Sequence, residues 1–482
     1  MPTTTLEPPA ISHDRGSFRD PANRVYVRPS EDGAPRILRG INAEMLSNFA
    51  KLEQESFFTK AMEKGHIVGT RQAAGSDADT KAVLAEGWKG VLEHDAIPFV
   101  SYPYEWSFSQ LKDAALLTLA LQERALEACW TLKDATPYNV QFRAAKPVFI
   151  DIPSLEPWVE GTPWVGYRQF CSMFLTPLML RAHLGIDFRP LMRSYLDGIP
   201  PTEAVRYFQG ANRFRKGVLS HIVLPARVEN SIGKKERDDK PASERRGGNQ
   251  STAMVLGLVQ SLKRLVRSLK IDIEHTDWAH YDKTHSYQDE EHEAKKAFVA
   301  RNAAREARDH VWDIGCNTGT FSRLCTDHSQ AVISIDGDPN AIEQLYLRER
   351  EVEGGKILPL VMNLNNISPN QGWNGAERKA LDARKTPDLV LVLALIHHTR
   401  ISANIPNRMF LEWLRSLDAD IVIEFVDRHD EMVIKLLTNK VEQYEDYTLD
   451  QFVSEAEDLF EIVEQEPLKG GKRIIFYMRP KG

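Results

Sequence analysis

Residues 311–320, which read VWDIGCNTGT, decide the fold of the C-terminal part of this chain. The hydrophobic run stops at Asp313 and passes into a turn that contains Gly315 and Gly319. This pattern is typical of a buried strand that leads through a tight turn into a helix. Because glycine has no side chain, the backbone can turn sharply there and leave its amides bare for a nucleoside or an amino-acid ligand.

A second predicted strand follows, with the sequence AVISIDGD, and it ends in Asp336. This acid lies about 20 residues after the glycine turn, where a carboxylate can accept hydrogen bonds from both hydroxyls of a ribose. In the turn itself the acid precedes the glycines, unlike the GxGxxG order of dinucleotide-binding turns. Asn317 stands between the two glycines, and asparagine can also adopt left-handed conformations. The pattern therefore favours a nucleoside site over a dinucleotide site.

Five further strands are predicted downstream of this nucleoside site. The third strand, ILPLVMNLNN, ends at Asn363, and the fourth, PDLVLVLALIHHT, ends at His397 and His398. The fifth, ADIVIEFVDRHD, ends at Glu424, and residues 460–480 give two more strands around the sequence KGGK. The C-terminal part is therefore expected to form one α/β sheet.

The whole succession resembles class I S-adenosylmethionine (SAM)-dependent methyltransferases over about residues 300–482. The resemblance implies a Rossmann-like sheet of seven strands, closed by a reversed terminal hairpin. It implies that the glycine turn receives the methionine part of SAM, while the next two strand ends receive the ribose and the adenine. The implied cofactor-binding residues are Asp313, Gly315, Asn317, Gly319, Asp336 and Asn363.

His397 and His398 are the candidates for catalysis. Methyl transfer from a sulfonium is an in-line displacement with an activated electrophile, so the enzyme mainly positions the acceptor and removes water. Oxygen acceptors also need a base, and imidazole titrates near neutral pH. The alternative is that both histidines shape the cofactor pocket. Glu424 is a weaker candidate, since its carboxylate could equally bind a backbone amide. No SPPY or NPPY tetrapeptide follows the fourth strand, which argues against methylation of DNA base amines or glutamine.

The N-terminal half contains a second possible site. A predicted helix over residues 109–130 precedes a loop with Asp134 and Asn139, and the next strand ends at Asp151. This order partly resembles kinase-like phosphotransferases, in which the first Asp orients a hydroxyl and the other two residues hold magnesium. No Gly-rich loop, lysine strand or His-Arg pair accompanies it, and Ile-Pro follows Asp151 in place of Phe-Gly. The alternative is that these residues cap a turn and bind nearby amides in a degenerate scaffold.

The whole chain is also similar to the bacterial family of NoeA-like nodulation host-specificity proteins. The matching stretches are YPYEWSFSQLKDAALLTL, LKDATPYNVQF, PVFID, PWVGYRQF and DIGCNTGTFS. This resemblance implies methyl transfer to a small-molecule or carbohydrate-like acceptor. We expect the N-terminal half to aid acceptor recognition.

Composition predicts five segments. Residues 1–22 are polar and proline-bearing and predict a disordered tail, and residues 23–229 predict an α+β domain. Residues 230–250 predict a charged linker, and residues 251–299 a helical connector that covers the cofactor. The methyltransferase domain then occupies residues 300–482.

Four local patterns in these segments also lead to expectations. The first strands are expected to form a hairpin that turns at residues 30–33, and residues 42–64 have the apolar spacing of one helix. Arg168, within an apolar run, is expected to pair with Asp151 or Glu156. The histidines before the glycine turn alternate with acids and are more typical of solvated residues than of metal ligands, so no metal site is expected.

Bulk composition narrows the function classes. With 482 residues, 42% hydrophobic and 27% charged, the chain is typical of a soluble protein of several domains. The net charge of -7 does not favour a nucleic-acid partner. Four scattered cysteines suit free thiols in the cytoplasm, and neither a signal peptide nor a transmembrane segment is expected. Three hypotheses follow: a SAM-dependent methyltransferase, a bifunctional or kinase-like nucleotide-binding protein, and a non-catalytic SAM-binding protein.

Overall fold

A computed structural model describes residues 11–29, 34–232, 250–273, 289–438, 440, 444–468 and 470–482 of the chain. The turn of the predicted first hairpin, residues 30–33, lies outside the described residues. Residues 1–10 of the predicted tail, most of the charged linker and residues 274–288 of the predicted connector also lie outside them.

The N-terminal half begins with a five-stranded antiparallel sheet in the order β1-β2-β3-β5-β4. Its strands and helices, with the two small strand pairs that follow, are β1 (Ser12–His13), β2 (Asn23–Arg28), β3 (Arg36–Ile41), α1 (Ala43–Leu52), α2 (Ser56–Glu63), β4 (Thr70–Gln72), α3 (Ala78–Ala85), β5 (Gly90–His94), α4 (Phe108–Glu127), β6 (Trp130–Leu132), β7 (Val140–Arg143), β8 (Lys146–Phe149), β9 (Leu155–Pro157), α5 (Tyr167–Phe170), α6 (Thr176–Leu184), α7 (Arg189–Ser194), α8 (Pro201–Tyr207), α9 (Leu224–Ile232) and α10 (Thr252–Ser268).

Two expectations for residues 11–64 were wrong. The predicted disordered tail is ordered from residue 11, because β1 pairs with β2 and Arg19 forms a salt bridge with Glu377 at 3.0 Å. The single helix predicted over residues 42–64 is two helices, α1 and α2. The break between them lets the rings of Phe49 and Phe58 meet edge to face at 6.3 Å between centroids.

The long helix α4 lies at the centre of the N-terminal half. Ser107 and Gln110 form a capping box at its start, in which each side chain bonds the backbone of the other residue. The helix ends at Glu127, earlier than predicted, and Trp130 already belongs to strand β6. α10, from the predicted connector, packs against α4, and Lys263 pairs with Glu123 at 2.5 Å. α10 is therefore part of the N-terminal half.

The C-terminal half is a seven-stranded sheet in the order β12-β11-β10-β13-β14-β16-β15. The first five are parallel, and β16 runs antiparallel to both of its neighbours. The parallel strands are almost continuously buried, as expected when helices cover both faces. The elements are α11 (Asp289–Ala303), β10 (Arg308–Ile314), α12 (Thr320–Leu324), β11 (Ser329–Asp336), α13 (Pro339–Glu349), β12 (Ile357–Val361), β13 (Leu389–Val392), α14 (Asn407–Ser416), β14 (Asp420–Val426), α15 (Glu431–Leu437), α16 (Leu449–Leu459), β15 (Phe460–Pro467) and β16 (Arg473–Pro480).

The two halves share one hydrophobic core through α4. The amide and hydroxyl of Ser109 at the start of α4 donate hydrogen bonds to Glu343 of α13, and Gln110 donates to the Pro359 carbonyl of β12 at 3.0 Å. A carboxylate at a helix start is stabilised by the unsatisfied amides there. The predicted boundary at residue 300 falls inside α11, which continues to Ala303.

A buried salt bridge joins the same two halves. Arg384 and Glu105 are both nearly inaccessible and meet at 2.5 Å. Ser368 also donates to Glu105, and the Lys379 amide donates to the hydroxyl of Tyr102 at 2.8 Å. The segment that follows β12 is therefore bonded to the N-terminal half.

Candidate active site

The site lies at the edge of the sheet where the parallel strands end. The turn after β10 is tied to β11, because the amides of Gly315 and Cys316 donate to the Ile335 carbonyl at 2.8 and 3.1 Å. Since the carboxyl ends of parallel strands meet at one edge, this turn borders the ends of β11, β12 and β13.

The turn uses positive φ angles at three positions, 78° at Gly315, 49° at Asn317 and 79° at Gly319. Asn317 adopts the left-handed conformation expected of asparagine. A Cβ on Gly319 would lie 2.6 Å from Leu345 Cδ1, so only glycine lets the start of α12 approach α13 this closely.

Asp313 is buried behind the turn, with 1% of its surface exposed. Its carboxylate accepts a hydrogen bond from Ser322 of α12 at 2.5 Å, and Ser334 donates to Ser322 at 2.8 Å. Burial raises the pKa of Asp313 to about 6, although the Ser322 hydrogen bond opposes the shift. Its observed contact therefore fastens α12 to the sheet.

Asp336 ends β11 and holds the glycine turn from the other side. One carboxylate oxygen accepts from the Asn317 amide and the other from the Asp338 amide, each at 2.8 Å. Burial raises the pKa of Asp336, and the backbone hydrogen bonds oppose that rise. Because a carboxylate has about four acceptor positions, further donors can still bind.

Asn363 follows β12, which ends at Val361, two residues earlier than the sequence predicts. The Met362 amide donates to the Asp336 carbonyl at 2.8 Å, and the Asn363 side chain accepts from the Asn365 amide at 2.9 Å. The side chain of Asn363 is exposed at this edge.

His397 and His398 lie in a helical turn beyond the end of β13. Their ring centroids are 4.2 Å apart. His397 has no exposed surface, and neither of its ring nitrogens has a hydrogen-bond partner among the described residues. Burial holds the pKa of His397 well below its usual value and lowers that of His398 as well. The His397 imidazole is therefore neutral near pH 7. The segment before it contacts the glycine turn through Leu395, whose Cδ1 lies 3.4 Å from where a Cβ on Gly315 would be.

A buried charge network supports this edge, and sequence reasoning recognised only part of it. Glu424 was predicted at the end of the fifth strand, but it lies inside β14, which continues to Val426, and it has no exposed surface. It accepts from Lys295 of α11 at 2.5 Å, from Arg473 of β16 at 3.3 Å and from the Ala394 amide at 2.7 Å. Burial alone would raise the pKa of Glu424, but the two cations bring it to about 2. Arg473 also pairs with Asp430 at 2.8 Å.

Lys295 lies on a strongly polar helix, in the segment that the sequence predicts to cover the cofactor. The sequence did not identify Glu424 as its partner. The Lys295 ammonium is 4.9 Å from the ring centroid of Phe321, just after the glycine turn. The sequence did not identify Arg473 either, which is the first residue of the apolar strand β16 in the terminal hairpin. The network therefore joins α11, the glycine turn and the loop after β13.

The N-terminal candidate residues also come together. Asp151 accepts from Arg39 of β3 at 2.7 Å and from Asn139 at 3.4 Å, and Ser154 donates to it as well. Burial, and then the nearby charge of Asp151, raise the pKa of Asp134. The sequence did not identify Arg39, because it is one of several arginines in the first hairpin.

Arg168 pairs with Glu229, so the expected bridge to Asp151 or Glu156 was wrong.

Within the described ranges, no cluster of histidine, cysteine, aspartate or glutamate side chains could hold a metal ion. The described helices also include none long and apolar enough to cross a membrane.

The strand order, the reversed terminal hairpin and the glycine turn define the C-terminal half as a domain with the class I methyltransferase fold. The chain is 31% identical to the nodulation protein NoeA of Rhizobium meliloti (strain 1021) over 468 residues, which cover 96% of this chain and 94% of that protein. The chain therefore belongs to the NoeA family. No protein-family model matches it.

Solved structures resemble part of the chain. The N-methyltransferase NodS from Bradyrhizobium japonicum WM9 matches with a TM-score of 0.31 and 13% identity, covering 40% of this chain and 97% of that one. Magnesium protoporphyrin IX methyltransferase from Synechocystis PCC 6803, with bound SAM, matches with a TM-score of 0.26 and 16% identity, covering 43% and 86%. These TM-scores are low, so the order of strands within this chain carries the fold assignment.

The charge network predicts an acid-sensitive stability. Because the pKa of Glu424 falls from 4.5 to about 2 on folding, its contribution is complete above about pH 4.5 and is lost as the pH falls toward 2. Glu424→Gln should therefore lower the unfolding free energy at pH 7, by about 3 kcal/mol for a broken buried pair, and by less at pH 3. Urea unfolding at both pH values measures this difference, and an equal loss at both would contradict it.

Proposed function

We propose that the C-terminal domain is a SAM-dependent methyltransferase that acts on a small-molecule or carbohydrate-like acceptor. The observation that carries the proposal is the link between the glycine turn and the end of β11, where Asp336 accepts the Asn317 amide at 2.8 Å. This contact supports a nucleoside site, because it places an acid that can accept further hydrogen bonds beside a turn whose backbone has positive φ angles.

The residues at this edge fit the cofactor. Asp336 would hold the two ribose hydroxyls, and Asn363 would border the adenine. Gly315 and Gly319 give the methionine part access to the backbone, since neither presents a side chain. When bound, SAM supplies a methyl group on a positively charged sulfur, which is already activated for displacement.

The chain's own part in the reaction is to position the acceptor, exclude water and remove a proton. His397 is neutral at pH 7 because burial lowers its pKa, and its ring nitrogens have no partner among the described residues. Buried polar groups without partners need an explanation, and a proton of an acceptor hydroxyl would satisfy one nitrogen. The acceptor oxygen would form a bond to the methyl carbon while the carbon–sulfur bond breaks and its electron pair stays on the sulfur, which leaves as the thioether of S-adenosylhomocysteine. The hydroxyl proton would move to His397.

The N-terminal half is proposed to aid acceptor recognition. Its support is the segment after Asn363, which borders the cofactor edge and then bonds to the N-terminal half. Arg193 donates to the Ile367 carbonyl at 3.2 Å, and Arg384 pairs with Glu105. These contacts would hold the N-terminal half next to the strand ends, which supports a role in acceptor recognition.

Asp336→Ala should weaken SAM binding about 100-fold, because it removes two hydrogen bonds to a charged group. Isothermal calorimetry with SAM measures the change. Asp327→Ala, at an exposed acid of the same domain, is the matched control and should leave the dissociation constant unaltered. An unchanged affinity in Asp336→Ala would overturn the proposed cofactor position. If SAM binds and no methylated product forms with any cell extract, the protein is a non-catalytic SAM-binding protein.

His397→Gln should lower the turnover of a hydroxyl acceptor at least about 100-fold, since general-base catalysis contributes that much, and should leave SAM affinity intact. The readout is S-adenosylhomocysteine released with a panel of sugars. The wild-type rate should stay level as the pH falls through 6.5, because the pKa of His397 lies well below that value. His429→Gln, at a histidine with a 79% exposed side chain, is the control. Intact turnover with weaker SAM binding would mean that His397 only shapes the cofactor pocket.

A second candidate function is nucleotide binding in the N-terminal half. The observation that favours it is the contact of Arg39, on the third strand, with Asp151 at 2.7 Å. In protein kinases a lysine on the third strand contacts the nucleotide phosphates, next to an aspartate that holds magnesium. Here Asp134 and Asn139 complete the group.

Calorimetry with magnesium-ATP tests this candidate on the full chain. If the N-terminal half binds nucleotide, the wild type should release or absorb heat on titration, and Asp151→Asn should abolish this heat. Asp382→Asn, at an exposed acid, is the control and should give the same heat as the wild type. An absence of heat with the wild type excludes this candidate and leaves Arg39, Asn139 and Asp151 as a structural hydrogen-bonded group.

A further inference from the structure

One segment of the N-terminal half has a charge opposite to that of the chain. Residues 204–228 contain five arginines and lysines and no acid, whereas the whole chain has a net charge of -7. Arg213, Arg215 and Lys216 are all exposed in the middle of this segment. A local positive field of this kind attracts anionic partners.

Large apolar side chains are exposed in the same segment. Phe214, between the basic residues, is 79% exposed, and Leu219 and Leu224 are 43% and 47% exposed. Leu219 and Leu224 share one face of the helix, because the turn between them is a π-turn whose hydrogen bond joins these two residues. Val228, one α-helical turn further, is 56% exposed. We call Arg213, Phe214, Arg215, Lys216, Leu219 and Leu224 the basic–apolar face.

The opposite side of this segment is firmly packed. Val218, Ile222 and Ala226 are buried in the N-terminal half. A Cβ on Gly217 would lie 2.6 Å from Leu265 Cδ2, so the backbone here lies directly against α10. The exposed apolar side chains therefore belong to a rigid surface.

We propose that the basic–apolar face docks the protein on an anionic lipid bilayer. Apolar side chains that lie beside arginine and lysine match the boundary between headgroups and acyl chains, where the cations meet lipid phosphates. A second copy of the chain fits less well, because it would bring two positive faces together.

Cosedimentation of the full chain with vesicles tests the proposal. Phosphatidylcholine vesicles that contain phosphatidylglycerol should bind the protein at low salt, and vesicles of phosphatidylcholine alone should not. Replacing Arg213, Arg215 and Lys216 together by Gln should weaken binding about 100-fold, since each basic residue near the surface contributes about fivefold. Phe214→Ser with Leu224→Ser should weaken binding at high salt as well, because it removes the inserted side chains.

The matched charge control replaces Lys51, Lys60 and Lys64, three exposed lysines elsewhere in the N-terminal half, by Gln. The apolar control is Met409→Ser with Ile434→Ser, at side chains that are 60% and 51% exposed. Both controls should bind like the wild type, and circular dichroism verifies that every variant is folded.

Three results would overturn the proposal. The first is no binding of the wild type to anionic vesicles, and the second is an equal loss in the lysine control. The third is a wild-type dimer in solution that Phe214→Ser with Leu224→Ser converts to a monomer, since a second copy would then cover the face.

Discussion

A carboxylate in the interior of a sheet is costly unless cations neutralise it, and Glu424 imposes that constraint on the whole C-terminal half. Lys295 reaches it from the helix before the sheet, and Arg473 reaches it from the reversed terminal strand. The Glu424 carboxylate also accepts a hydrogen bond from the Ala394 amide, in the loop that leads to His397. The first helix, the last strand and the loop of the proposed base are therefore held by one charged group.

The second constraint is the shared core. Helix α4 belongs to the N-terminal half by sequence, yet its first turn bonds to Glu343 of α13 and Pro359 of β12 in the C-terminal half. The buried pair of Glu105 and Arg384 repeats this connection on the segment after β12. Because α13 follows Asp336 directly, the N-terminal half supports the strand end that is proposed to hold the ribose.

Local patterns predicted much of the proposed cofactor site. The turn around Gly315, the left-handed Asn317 and the acid at Asp336 depend on short-range geometry, which residue types alone constrain. The break between α1 and α2 was missed, since it depends on the packing of Phe58 against Phe49 rather than on a glycine or proline. Propensity is a weak guide wherever tertiary packing decides.

The sequence by itself determined the succession of strands in the C-terminal half, the glycine turn and the candidate residues near the strand ends, because each depends on neighbours within a few positions. Only the tertiary structure decided which charges meet. Lys295 and Glu424 are 129 positions apart, and Arg39 and Asp151 are 112 apart. Such pairs form when distant segments are packed together, and the residue type at either end does not identify its partner. The glycine turn after β10 is thus a local feature, whereas the buried charges that support it come together only in the tertiary structure.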